Sequence, residues 1–253
     1  MIVGCGATQT DPPDRPLGAP ARDGGGANGD GGAPAADGGD EGNTTVNVGD
    51  DSGVDTGPPA RVDAPECTSS MTIAAPNAPA NGLTLAAYSV IGFTGTQGKC
   101  GWSYGYIAPA TSTTTFLVMG EYDAAGEAWY VQNNVYWTYM NRNTMHPNGL
   151  LTSGGRTAID HWAVRRFTSN VAGQIRITGT VKKSGGAIGG NGVLARIMVG
   201  ADKKFDQNIV DETGMTFDFV ANVAIDTTID FVIDPNASED GVDSTDFVAA
   251  IWK

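Results

Sequence analysis

From Gly173 to the C-terminus the apolar residues recur at every second position, and no helical spacing interrupts them. In GQIRITGTVKK, Ile175, Ile177, Gly179 and Val181 alternate with Arg176, Thr178 and Thr180, the pattern of a strand that buries one face. The next run places Val193, Ala195, Ile197 and Val199 together, and MTFDFVANV does the same with Phe217, Phe219, Ala221 and Val223. TTIDFVID aligns Ile229, Phe231 and Ile233, and DFVAAIW supplies a last strand. Turn clusters such as SGGAIGGNG and NASEDG separate these runs. Short strands at regular spacing predict an all-β domain, an antiparallel β-sandwich of jelly-roll-like type.

The stretch from Leu83 to Phe167 is strand-like too, but its alternating positions are aromatic. Trp102, Tyr104 and Tyr106 alternate and so share one face of a strand. With Trp129, Tyr130, Tyr136, Trp137, Tyr139 and Trp162 they concentrate Trp and Tyr beyond what a small core of aliphatics needs. These rings pair a flat apolar face with a polar edge, which suits both a sandwich core and stacking on the C–H face of a sugar. Trp129, Tyr130, Trp137 and Tyr139, which flank loop sequence, are the expected ligand-binding aromatics, with His146 beside them.

Composition divides the chain. Residues 6–66 contain no aromatic residue and little Leu, Ile or Val, so they cannot bury enough apolar surface to offset a backbone ordering entropy of roughly 1–2 kcal/mol per residue. Residues 1–66 are therefore expected to form a lipobox remnant and a disordered acidic Gly/Pro-rich tether, and residues 67–253 the sandwich. Of the net charge of -13, the tether carries most, with 12 acidic and 3 basic residues. Such a linker extends as a spacer. The remainder has no basic stripe, which excludes a nucleic-acid partner.

Ile2-Val3-Gly4-Cys5 matches the pattern before a lipid-modified cysteine: aliphatic, aliphatic or small, Gly or Ala, then Cys. Cys5 is the expected lipidation site, a membrane anchor that places the protein outside the cytoplasm, at the outer membrane or cell surface. The charged and apolar stretches of a signal peptide do not precede it, so Met1 is read as a late or trimmed start. Cys67 and Cys100 remain as an even pair, either a disulfide in an oxidising compartment or two buried thiols.

Two further clusters carry candidate chemistry. DPNASEDGVDSTDF offers Asp234, Asn236, Ser238, Asp240, Asp243 and Asp246. It fails the EF-hand pattern, because Glu239 stands where Gly is required and Thr245 where a bidentate Glu belongs. A looser structural calcium site from Asp234, Asn236, Asp240 and Asp243 is the expectation, against a polar turn whose side chains cap backbone amides. His146 and His161 lack metal-ligand spacing, no GxSxG elbow occurs, and neither cysteine has a nearby His. In AVRRF one of Arg165 and Arg166 points inward and needs a carboxylate, which the loop from Asp234 to Asp246 could supply.

Taken in order, FTGTQGKCGWSYGY (residues 93–106), His146-Pro147, AVRRF, GQIRITG, GGNGVLARI and IDFVIDPNASEDGVDSTDF resemble a bacterial extracellular β-sandwich module. That module occurs in surface lipoproteins and beside polysaccharide-acting enzymes. The resemblance spans most of residues 67–253. It departs at Lys99-Cys100, where polar residues are usual, and at Phe167, where Trp is usual. It implies a surface setting and proximity to glycans, and names no activity.

Three functions follow from these observations. The first is a cell-surface lipoprotein whose non-catalytic sandwich binds a glycan or cell-surface polymer through exposed aromatics. The second is a structural or protein-interaction module with every aromatic in the core. The third is a polysaccharide lyase or hydrolase; a lyase would need a cation, a base such as Tyr or His and an acid, which His146, Tyr139 and Arg142 would furnish if they converged.

Overall fold

The computed structural model describes residue 67 and residues 82–152, 154–187, 189–236 and 241–253. Cys5, the tether, Ser238 and Asp240 lie outside the described residues. Among the described residues the alternating runs become fourteen strands in two sheets in which every pairing is antiparallel. The domain is an all-β sandwich, as its periodicity predicts.

The eight-stranded sheet runs β12 (Met215–Val223), β9 (Gly173–Lys183), β14 (Thr245–Trp252), β7 (Thr144–His146), β6 (Tyr139–Met140), β5 (Ala128–Tyr130) and β4 (Glu121–Asp123). β1 (Leu85–Tyr88) joins it by pairing with the end of β14. One edge of β14 is thus divided between β7 near Thr245 and β1 near Trp252. The six-stranded sheet runs β11 (Asp202–Ile209), β10 (Val193–Val199), β13 (Thr228–Asp234), β8 (Trp162–Thr168), β2 (Trp102–Ile107) and β3 (Leu117–Val118).

The core lies between the sheets and is made of the alternating residues: Ile175, Ile177 and Val181 from β9, Phe217 and Ala221 from β12, Ile229, Phe231 and Ile233 from β13. Trp102 and Tyr104 join them, both fully buried. Trp102 packs against Phe167 and Phe231 at centroid distances of 5.2 and 5.9 Å. Ring burial of roughly 150–250 Å² each makes these residues the largest apolar contributions to stability. Cys67 and Cys100 form a disulfide, with Cα atoms 5.4 Å apart, that ties residue 67 to the turn before β2.

Among the described residues two cations, Arg165 and Lys183, are buried in this core, and their partners differ from the sequence expectation. β8 turns Arg165 inward and Arg166 outward, but Arg165 meets carbonyl oxygens instead of a loop carboxylate. It donates from Nη2 to Asn141 O at 2.7 Å and from Nη1 to Phe247 O at 3.4 Å. Burial lowers its pKa to about 10. The loop carboxylate goes to Lys183, whose Nζ lies 3.1 Å from Asp243 Oδ1 with both side chains fully buried. The register explains the exchange: Lys183 stands opposite Thr245, two residues from Asp243, whereas Arg165 opposes Phe231 and Tyr104.

A buried pair broken on one side leaves an uncompensated charge. Lys183→Met is expected to cost about 3–5 kcal/mol, and adding Asp243→Leu to recover most of it. Urea denaturation followed by tryptophan fluorescence measures both.

Candidate functional site

The alternation that fills the core also decides what the outer face of the six-stranded sheet shows. β8 presents Trp162, Val164 and Arg166 outward, β13 presents Asp230, Val232 and Asp234, and β10 presents Leu194, Arg196 and Met198. Val164, Val232 and Ile107 form a small buried cluster there, with Phe116 and Trp162 packed against it.

The segment between β2 and β3 folds over this cluster because position 105 has no side chain. A Cβ on Gly105 would lie 2.5 Å from the Phe116 ring and 2.2 Å from Leu117 O, so only glycine lets Phe116 settle there. Phe116 in turn carries the guanidinium of Arg166, 4.2 Å from its centroid. That guanidinium is bidentate to Asp230, from Nε to Oδ1 at 2.6 Å and from Nη2 to Oδ2 at 2.7 Å. The pair is directly cross-strand in the β8–β13 register.

A second stacked cation stands beside it. Arg196 lies 4.7 Å over the Trp162 ring, with Nη1 2.7 Å from Asp234 and Nε 3.4 Å from Asp206. Trp162, Arg166, Arg196 and Asp230 line a groove of about 580 Å³, with Ile107, Met198 and Val232 as apolar lining and Thr113, Thr114, Lys203 and Thr228 as further polar groups. Trp162 also lines a smaller hollow of about 150 Å³ with Asp160, Leu194, Asp234 and Asn236. Burial raises the pKa of Asp160, the Asp234 charge adds to this, and the Trp162 indole N–H and Arg196 work against it. The surface thus offers an apolar floor, two ring-stacked guanidiniums and several hydroxyl and carboxylate acceptors.

The aromatics expected to bind ligand are placed elsewhere, in the other sheet. Trp129 is buried in the core, stacks on Tyr104 at 5.8 Å and donates its indole N–H to Thr94 O at 2.8 Å. Tyr130, Tyr139, His146 and Trp137 come together as a ladder across β5, β6 and β7, with centroid spacings of 5.7, 5.4 and 5.6 Å. Arg156 caps Trp137 at 4.5 Å. Each ring in that ladder is in contact with at least one other ring.

Of the residues expected for a lyase, two are in mutual contact and the third is engaged by other partners. His146 and Tyr139 are stacked neighbours, but Arg142 donates to Val90 O and pairs with Glu127 at 3.1 Å. Of the loop residues expected around calcium, Asp234 already pairs with Arg196 and Asp243 with Lys183, while the Asn236 side chain donates to Asn191 O. Among the described residues no group of three acidic, His or Cys side chains is placed to hold a metal ion. No described helix is long and apolar enough to cross a membrane.

The residues that form the groove were visible individually and not as a set. Trp162 belongs to the aromatic-rich half, Arg166 to the AVRRF pair and Asp234 to the expected calcium loop, whereas Arg196 and Asp230 belong to no motif. Their signal is position: each sits on the outward phase of a strand whose inward phase is apolar except for Arg165 on β8.

No protein-family model matches the chain, and neither does any curated protein. Among solved structures it is similar to CBM51 from Clostridium perfringens GH95, determined in complex with methyl-galactose, at 11% identity and TM-score 0.31 over 58% of this chain and 99% of that one. It is also similar to the C-terminal CBM6 of LamC, a marine laminarinase from Zobellia galactanivorans, at 14% identity and TM-score 0.24 over 37% of this chain and 73% of that one. A family 35 carbohydrate binding module from Clostridium thermocellum matches at 13% identity and TM-score 0.25, over 43% of this chain and 87% of that one. Likeness this slight leaves function to the chemistry of the groove.

Both histidines are buried against aromatic rings. His146 lies between Trp137 and Tyr139, and His161 between Tyr106 and Tyr136 with Nδ1 3.2 Å from Thr138 Oγ1. Burial lowers each pKa to about 4. A folded-state pKa below the unfolded value of 6.5 gives stability that is complete above pH 6.5 and is lost as pH falls towards 4. The urea midpoint is therefore expected to drop across that window, and His146→Phe with His161→Phe to flatten the drop. An unchanged slope in the double variant would assign the acid sensitivity to carboxylates.

Proposed function

We propose that this domain is a non-catalytic glycan-binding module and that the groove over β8, β10 and β13 is its binding surface. The observation that carries the reading is the groove itself. A concave site of about 580 Å³ brings together Trp162, an apolar floor and two fixed Arg–Asp pairs on adjacent strands. Its size suits one or a few sugar rings, and its mixture of aromatic and convergent polar groups suits a hydroxyl-rich amphipathic ligand. Rigid strands and ring-stacked guanidiniums hold the donors before ligand arrives, which reduces the ordering cost of binding.

The setting we propose is extracytoplasmic. Ile2-Val3-Gly4-Cys5 supports lipid attachment at Cys5, the acidic stretch behind it supports a spacer, and the Cys67–Cys100 disulfide supports an oxidising compartment. The resemblance to a bacterial extracellular β-sandwich module supports the same placement.

A glycan-array screen of the full chain, followed by calorimetry on the glycans that bind, tests the reading. Trp162→Ala is expected to weaken binding by about tenfold or more, roughly 1.4 kcal/mol, while Trp137→Ala leaves it unchanged. If Trp162→Ala keeps its fold by near-ultraviolet circular dichroism and binds as the parent does, the groove is not the site.

A further inference from the structure

The lining of the groove is richer in cations than the domain as a whole. Residues 67–253 contain 16 acidic and 12 basic side chains, yet the groove is lined by Arg166, Arg196 and Lys203 against a single carboxylate, Asp230. Asp230 is already committed to Arg166 by two hydrogen bonds. The carboxylates that hold the other two cations, Asp206 and Asp234, are not among the residues lining the groove.

Each guanidinium is fixed in a way that keeps a donor in reserve. Arg166 lies on Phe116 and uses Nε and Nη2 on Asp230, so its Nη1 has no partner among the described residues. Arg196 lies on Trp162 in ion pairs with Asp234 and Asp206, and its buried Nη1 makes no hydrogen bond among the described residues. Lys203 is half-exposed on the groove lining and brings a third cation with rotatable donors.

A neutral sugar would meet these donors with hydroxyls alone, whereas an anionic group meets them with charge-assisted bonds about twice as strong. Arginine held flat on a ring also matches the planar geometry of a carboxylate and the oxygens of a sulfate. We propose that the groove selects an anionic glycan, one whose sugar ring carries a carboxylate or a sulfate ester directed at Arg166, Arg196 and Lys203. This proposal rests on the glycan-binding reading above and names its ligand class.

The test sets charged polymers against their neutral twins, using the full chain in affinity electrophoresis and calorimetry. Polygalacturonate is compared with its methyl ester, and dextran sulfate with dextran, each at low and raised salt. The expected result is binding of at least one charged polymer about tenfold tighter than its twin, weakening as salt screens the cations. Lys203→Gln is expected to weaken that binding several-fold. Lys204→Gln, which removes the same charge from a residue that does not line the groove, is expected to leave it unchanged.

Preference for polygalacturonate assigns the anion as a carboxylate, and preference for dextran sulfate assigns it as a sulfate. Equal binding of charged and neutral twins overturns the anionic selectivity and leaves glycan binding standing. Equal losses in Lys203→Gln and Lys204→Gln overturn it as well, since attraction would then come from overall charge. Failure to bind any of the four polymers or any arrayed glycan sinks both readings together.

Discussion

The register between β8 and β13 is the constraint on which both the core and the groove depend. It sets Ile229 opposite Phe167 and Phe231 opposite Arg165 on the inner face, and Asp230 opposite Arg166 and Val232 opposite Val164 on the outer face. Side chains in a strand alternate with a period of two, so a slip of one residue would send the phenylalanines to solvent and the ion pair into the core. The apolar inner phase enforces the register, and the outer phase inherits its geometry. The Arg166–Asp230 pair is therefore held in place by burial that occurs on the other side of the sheet.

Around that pair the structure uses aromatic rings in two separate ways. Trp102, Tyr104 and Trp129 fill the space between the sheets, where their size contributes stability. Phe116 and Trp162 lie outside and serve as plates for Arg166 and Arg196. The ladder of Tyr130, Tyr139, His146 and Trp137 belongs to neither set. Its cross-strand stacking holds together the short strands β5, β6 and β7, whose two or three residues provide few backbone hydrogen bonds.

Buried cations give the eight-stranded sheet its ties to the loops. Lys183 at the end of β9 binds Asp243 just before β14, and Arg165 reaches across the core to Asn141 and Phe247. An unpaired charge in such a position would be costly, and carbonyl dipoles or a carboxylate are the two means by which the chain meets that cost. The same loop region bounds the smaller hollow through Asp234 and Asn236, so the core ties and the outer surface share a segment of chain.

The alternating residues of β9, β10, β12 and β13 were enough by themselves to define a sandwich and to name its core, because a period of two puts every second side chain on one buried face. The acidic composition of residues 6–66 likewise sets an expected spacer apart from the expected folding unit. What alternation leaves open is which strands become neighbours, and the pairing of Arg166 with Asp230 and of Arg196 with Asp234 depends on that alone. The aromatic-rich half showed the same limit. A Trp or Tyr on a strand is equally suited to a core, a ladder or a ligand, and only the packing of the second sheet sends Trp129 inward while the course of residues 108–116 leaves Trp162 at the wall of a groove.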